Sequence, residues 1–164
     1  MANEKKIMLL ELLERDNTMS DKDVALYLGI NEKELASLKD ELKEEGVIKG
    51  SQDVIDWSKM SENVADALIE VKVVPQKGIG FEQIAREIGA IEDVKSVFLM
   101  SGGYDFLVSL ERKNIKEISQ FVYERLATIP GVTSTATHFI LKKYKDHGIV
   151  YDGESKDKRI ERDI

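Results

Sequence analysis

At 164 residues, 42% hydrophobic and 34% charged, the chain has the profile of a soluble globular protein with room for one ordinary domain or two small ones. It contains no cysteine, which excludes a disulfide framework, a thiolate zinc site and a cysteine nucleophile. A net charge of −7 argues against a general coat for nucleic acid or membrane, because phosphate binding needs Lys and Arg, although a local basic surface stays open.

The start, MANEKKIMLLELLERDN, lacks the uninterrupted apolar core and cleavage site of a secretory signal. No run approaches the roughly 18 apolar residues of a membrane span, so a cytoplasmic location is expected. Residues Glu4 to Arg15 place Ile7, Leu10 and Leu13, with Met8, Leu9 and Leu12 beside them, at helical spacing. Asn17-Thr18 breaks this helix. Ser20 caps a second, with Asp21 and Asp23 in its first turn and Val24, Leu26, Tyr27 and Leu28 as its apolar side, and Gly29 ends it. Asn31 caps a third, NEKELASLKDELKEEG, with Glu34 as box partner, Gly46 as the stop and Leu35, Leu38 and Leu42 as its buried stripe.

Three short helices with a Leu-Gly-Ile turn before the third are the layout of a helix-turn-helix, whose last helix can lie in a major groove. Val47 to Lys49, the Gly50-Ser51-Gln52 corner and Val54 to Trp57 suggest a two-stranded wing, making residues 1–60 a winged helix. A bare three-helix bundle has the same period. Ser58 to Ala67 is more polar, and residues 61–67 form the linker.

From Leu68 the pattern changes to LIEVKVV, GFEQIAREIGAI, VKSVFLM, YDFLVSL, NIKEISQFVYERLATI and VTSTATHFILKKY. The order is βαββαβ over residues 68–146, a ferredoxin-like split βαβ unit with the first and third strands central. Phe81, Ile84, Ala85 and Ile88 make one helix face; Ile115, Ile118, Phe121, Val122, Arg125 and Ile129 mark the other, with Arg125 snorkelling at its edge. The fold class is therefore α+β, a winged helix-turn-helix followed by a ferredoxin-like domain. Such a sheet has helices on one face only. Both faces of the second and third strands carry apolar residues, which predicts either a homodimer through the spare face or its cover by the N-terminal helices. Residues 147–164 read as a polar tail.

Between those strands, SGGYD is a corner where Gly102 and Gly103 can take positive φ, as tight hairpin turns require. Ser101, two unscreened glycine amides, the Tyr104 hydroxyl and the Asp105 carboxylate gather there. The corner is either a plain turn or the lip of a small-ligand site.

A winged helix followed by this domain, with EEGVIKG, VKSVFLMSGGYDFLVSLE and IPGVTSTATHFILKKYK, resembles the leucine-responsive and asparagine-regulator (Lrp/AsnC) family of transcription regulators over nearly the whole chain. The resemblance implies a first domain that binds double-stranded DNA and a second that assembles dimers, often into rings of eight, and senses small molecules, commonly amino acids. It implies an effector site between dimers at Ser101, Gly102, Gly103, Tyr104 and Asp105 and at Thr135 and Thr137 of the last strand. Glycine amides and threonine hydroxyls suit a carboxylate, and Asp105 suits an ammonium. Thr135 and Thr137 share one strand face.

The third helix departs from many relatives, which carry arginines in its middle; here LASLKDEL has Ser37 and Leu38 at those places. Residues 1–60 hold nine Lys and Arg against fourteen Asp and Glu, a local charge of −5. Lys33, Lys39, Lys43 and Lys49 remain for phosphate, and Asn31 or Ser37 for a base edge. Weak binding per domain with reliance on several domains follows; a helix turned over to protein contact is the alternative, in a metabolite-binding assembly protein.

Enzymatic candidates fall away. His138 and His147 have no evident metal partner, Gly78-Ile79-Gly80 lacks the further residues of a phosphate loop, nothing places Asp105 beside Glu111, and Trp57 reads as core or domain contact. No cofactor is expected beyond the small effector.

Overall fold

The computed structural model describes residues 2–60, 63–75 and 80–151. The chain divides into two compact units. One runs up to Ile55 and takes in Lys145–Val150; the other comprises Asp56–Tyr144 and Tyr151.

In the first unit α1 (Ala2–Arg15), α2 (Asp21–Leu28) and α3 (Glu32–Glu44) surround a core of Leu9, Leu12, Val24, Ala25, Leu28, Leu35 and Leu42. The caps form as their residue types dictate. Ser20 accepts from the Asp23 amide, and Asn31 and Glu34 close a reciprocal box, each side chain accepting from the other's backbone N–H. Gly29 (φ +63) and Gly46 (φ +68) take the left-handed conformation that ends a helix.

The apolar faces are narrower than expected. On α2 Val24, Ala25 and Leu28 are buried while Leu26 and Tyr27 face outward, because a 3.6-residue period turns the two middle positions off the core stripe. On α1 Ile7 and Met8 stay exposed for the same reason.

The two-stranded wing expected over Val47 to Trp57 is not formed as paired strands. The end of α3 engages the first two amides of that span: Val47 and Ile48 N–H both donate to Leu42 O, beside Gly46 N–H on Lys43 O. Trp57–Lys59 is instead a 3₁₀ turn started by Asp56. A hairpin lies elsewhere. Lys145–Asp146 (β5) and Ile149–Val150 (β6) pair across His147 (φ +46) and Gly148 (φ +80), a two-residue turn with both centres at positive φ. Residues 147–150, read as tail, thus belong with 145–146 to the helical unit, and residues 152–164 lie outside the described residues.

The second unit holds β1 (Ala67–Val73), α4 (Phe81–Gly89), β2 (Val94–Leu99), β3 (Phe106–Leu110), α5 (Ile115–Phe121) and β4 (Val132–Phe139). The antiparallel sheet has the order β2-β3-β1-β4, with the first and third strands central. Ala67, Ile69, Val71 and Val73 of β1 and Phe106, Val108 and Leu110 of β3 meet Ile84, Ile88, Ile118, Phe121, Leu126 and Ile129 in one core. Each fully buried side chain of this size is worth about 1.5–3 kcal/mol.

The stripe on α5 shifts at its end. Val122–Leu126 forms a π turn, with Ala127 N–H donating to Val122 O, and this extra residue puts Leu126 in the core where α-helical spacing put Arg125. Arg125 is exposed.

Candidate functional site

The candidate residues lie in two places: around α3, and at the end of the sheet with the β2–β3 loop and the edge strand β4. On α3 the six residues picked for DNA do not stand alike. Lys39 forms an ion pair with Asp21 at the start of α2, and Lys43 lies 3.6 Å from Asp40 one turn back. The Asn31 side-chain oxygen caps the helix at 2.9 Å from the Glu34 amide. Lys49 folds over Gly46, where a Cβ would meet its Nζ at 3.0 Å, so its charge sits at the negative end of α3. Lys33 and Ser37 are exposed, four residues apart on one face.

Two of the acids that weigh against DNA are engaged within the unit. Lys6 of α1 donates to Glu41 at 2.8 Å and Glu45 at 3.0 Å, and these hydrogen bonds raise its pKa. The same neighbourhood forms a groove of about 460 Å³ lined by Asn3, Lys5, Lys6, Ile30, Leu38 and Glu41 among others.

At the sheet end, Met100 N–H donates to Asp105 O at 2.8 Å and closes a four-residue loop, Ser101 to Tyr104. Only Gly102 has a positive φ, +148; Gly103 does not, so the expectation that both would use that freedom holds for one. A Cβ on either glycine would meet nothing within 4 Å, and both glycines are exposed.

Asp105 is partly buried and has a structural task. Its backbone N–H donates to Val71 O at 3.0 Å, and its Oδ2 accepts from Val73 N–H at 2.8 Å. Val73 N–H lies on the β3 side of β1, past the last β1–β3 pair, Val71 with Phe106, so the carboxylate stands in for a ladder acceptor. Asp105 therefore stitches the loop to the end of β1.

Thr135 lies opposite Val71 and Thr137 opposite Ile69, so both threonines point to the helix side of the edge strand, half-buried. His138 pairs with Leu68 and points to the other face, where its Nε2 lies 3.2 Å from Glu70 Oε1. One row of the sheet runs Leu99, Phe106, Val71, Thr135. The loop and the threonines are thus two strand spacings apart, about 10 Å. Within one chain the structure does not bring them into a single contact.

The open face carries Ser96 and Phe98 of β2, Leu107 and Ser109 of β3, Leu68, Glu70 and Lys72 of β1, and Ser134, Ala136 and His138 of β4. Ser96 and Ser109 hydrogen-bond across it, and Phe98 is 54% exposed.

Residues 66–150 match the Lrp/AsnC ligand binding domain. The chain belongs to the Lrp/AsnC family of transcriptional regulators. The uncharacterized HTH-type transcriptional regulator YugG of Bacillus subtilis is 40% identical over 159 residues, covering 96% of this chain and 95% of that one. The fold recurs in the leucine response regulatory protein of Mycobacterium tuberculosis, with a TM-score of 0.71 at 17% identity over 87% of this chain and 94% of the other. It recurs also in a Neisseria meningitidis transcriptional regulator solved with L-methionine, with a TM-score of 0.68 at 19% identity over 87% and 91%.

Two features of this Lrp/AsnC chain escaped the sequence reading. The β5–β6 hairpin is announced by Asp146-His147-Gly148 between two short flanks, a weaker relative of the Asn-Gly signal. The Asp66–Arg112 pair, at 2.9 and 3.1 Å, joins residues 46 positions apart, and nothing local signals it. Among the described residues no group of His, Cys, Asp and Glu is arranged to hold a metal.

Proposed function

We propose that the chain is a cytoplasmic DNA-binding regulator whose DNA affinity or assembly responds to an amino acid or similar small effector. The carrying observation is the exposed Ser101, Gly102 and Gly103 stretch next to the partly buried Asp105 carboxylate, inside a domain that matches a ligand-binding family. An amino acid offers a carboxylate for the Gly102 and Gly103 amides and an ammonium for Asp105 Oδ1, since Oδ2 already serves Val73. The L-methionine of the Neisseria complex belongs to that class.

Separation of the loop from Thr135 and Thr137 by two strands favours a site shared between copies, where one chain's loop meets another's edge strand. The partly apolar open sheet face suits the dimer itself. Effector would favour one assembly by binding it better, and the spacing of the α3 helices on DNA would follow. At α3, Lys33 serves phosphate and Ser37 a base edge; Asn31, Lys39, Lys43 and Lys49 act chiefly by holding the helix in place.

The test is titration of the pure protein onto the DNA upstream of its own gene, at two salt concentrations, with and without each common amino acid. Binding that weakens with salt and changes with one amino acid is expected. Absence of specific binding under all conditions would overturn the DNA-reading half. A thermal-shift screen with no responding amino acid would overturn the sensing half.

A further inference from the structure

At the loop end of the sheet two large apolar side chains stay in the open beside one that is sealed. Phe106, the first residue of β3, is 1% exposed and belongs to the core between sheet and helices. Leu99 is its partner on β2, so both side chains stand on the helix side of the sheet. Val97, two residues back on that side, packs against the core, whereas Leu99 is 65% exposed. Phe81, the first residue of α4, sets its ring 6.0 Å from that of Phe106 and is 36% exposed. Leu99 and Phe81 are thus the open neighbours of the Phe106 ring. The residues adjoining Leu99 and Phe106 close the loop, Met100 N–H donating to Asp105 O.

Charge is absent from this stretch of chain. Residues 97–104 read VFLMSGGY, without a carboxylate, an ammonium or a guanidinium. On α4, Glu82 lies 3.9 Å from Arg86 of its own helix. Asp105 adjoins Phe106 and uses Oδ2 on Val73 N–H. A charged side chain resting on Leu99 and Phe81 would lose water without gaining a counter-ion, and an amide would lose its hydrogen bonds. An apolar one would withdraw from water its own surface together with that of Leu99 and Phe81.

We propose that Leu99 and Phe81 determine specificity at the effector site, receiving the side chain of a large apolar α-amino acid while the loop and Asp105 take its carboxylate and ammonium. This rests on the reading of the 101–105 corner as the effector site. All three groups leave one α-carbon, and Asp105 is a single strand step, about 3.3 Å, from Phe106. A side chain of four or more heavy atoms, on the order of 5 Å long, spans that gap and a shorter one does not.

The test is calorimetric titration of the full-length protein with L-leucine, L-methionine, L-phenylalanine, L-alanine, L-asparagine, L-glutamate and L-lysine, for the wild type, Leu99→Asn, Leu99→Lys and Phe81→Leu. The large apolar amino acids should bind the wild type about ten-fold more tightly than L-alanine, since each buried methylene is worth about four-fold. Leu99→Asn should weaken L-leucine about five-fold and leave L-alanine within about two-fold. Leu99→Lys should raise the affinity for L-glutamate several-fold, a change that lost packing cannot produce. Phe81→Leu, which still covers Phe106, should weaken L-phenylalanine more than L-alanine. Because Leu99 is largely exposed, its variants keep the fold. A wild type that prefers L-alanine or a charged or amide side chain would overturn the proposal and leave the effector reading standing. An unchanged ranking in both Leu99 variants would also overturn it, and with an altered mass in light scattering would assign the patch to contact between copies. Binding of no amino acid to the wild type would overturn the effector reading and the proposal together.

Discussion

A methyl group added at Gly131 would lie 3.0 Å from Ile84 Cδ1 and 3.3 Å from Val74 O, on a backbone with φ +94. Both the steric and the conformational terms oppose it, so Gly131→Ala should cost about 1–3 kcal/mol in denaturant unfolding of the sheet unit. Gly103 is the opposite case. With ordinary φ and open space around it, Gly103→Ala should leave stability within about 0.5 kcal/mol and yet weaken effector binding, because a Cβ would screen the amide. Equal calorimetric binding by wild type and variant would remove Gly103 from the site. At Asp105 the structural and ligand tasks separate by substitution. Asp105→Ala leaves Val73 N–H without its acceptor, a loss of about 1–3 kcal/mol, whereas Asp105→Asn keeps an acceptor and removes only the charge. Effector response should vanish in both, and stability should drop mainly in the alanine variant.

For the elements, helices and strands were legible from period and punctuation: Ser20, Gly29, Asn31 with Glu34, and Gly46 bound their helices as their chemistry requires. Where the reading failed, a local competition decided. The α3 terminus took the first two amides of the span expected to form a wing, and one extra residue in the π turn exchanged Arg125 for Leu126. The candidate DNA face was legible only as residue types. Which lysine is engaged by an acid depends on a helix elsewhere in the chain, as Asp21 does for Lys39. Lys33→Ala should therefore reduce the salt slope of DNA binding by about 1 per bound domain, and Lys39→Ala should lower affinity without altering the slope. Identical slopes for wild type and Lys33→Ala would show that Lys33 does not meet phosphate.

Across the molecule, the charge cluster at Asp66 ties stability to pH. Burial alone would raise the Asp66 pKa, but hydrogen bonds from Lys143 and Arg112 outweigh it and hold the carboxyl below its ordinary 3.8. A group with a depressed folded pKa stabilises above its unfolded value and loses that contribution as pH falls through the folded one. Wild type should thus exceed Asp66→Asn in thermal stability at neutral pH, the gap closing only below pH 3.8. A gap unchanged down to the acid limit would show that Asp66 ionisation is not its source.

Hydrophobic period and capping residues were enough by themselves to determine the helices and the βαββαβ order, because those signals are short-range and each residue carries its own preference; the family was legible only as a resemblance, through stretches such as VKSVFLMSGGYDFLVSLE. The tertiary structure alone decided that Asp105 serves Val73, that the loop and the Thr135–Thr137 pair stand two strands apart, and that Arg112, Asp66 and Lys143 meet. These depend on strand register and on contacts between residues far apart in the chain, which no local preference encodes.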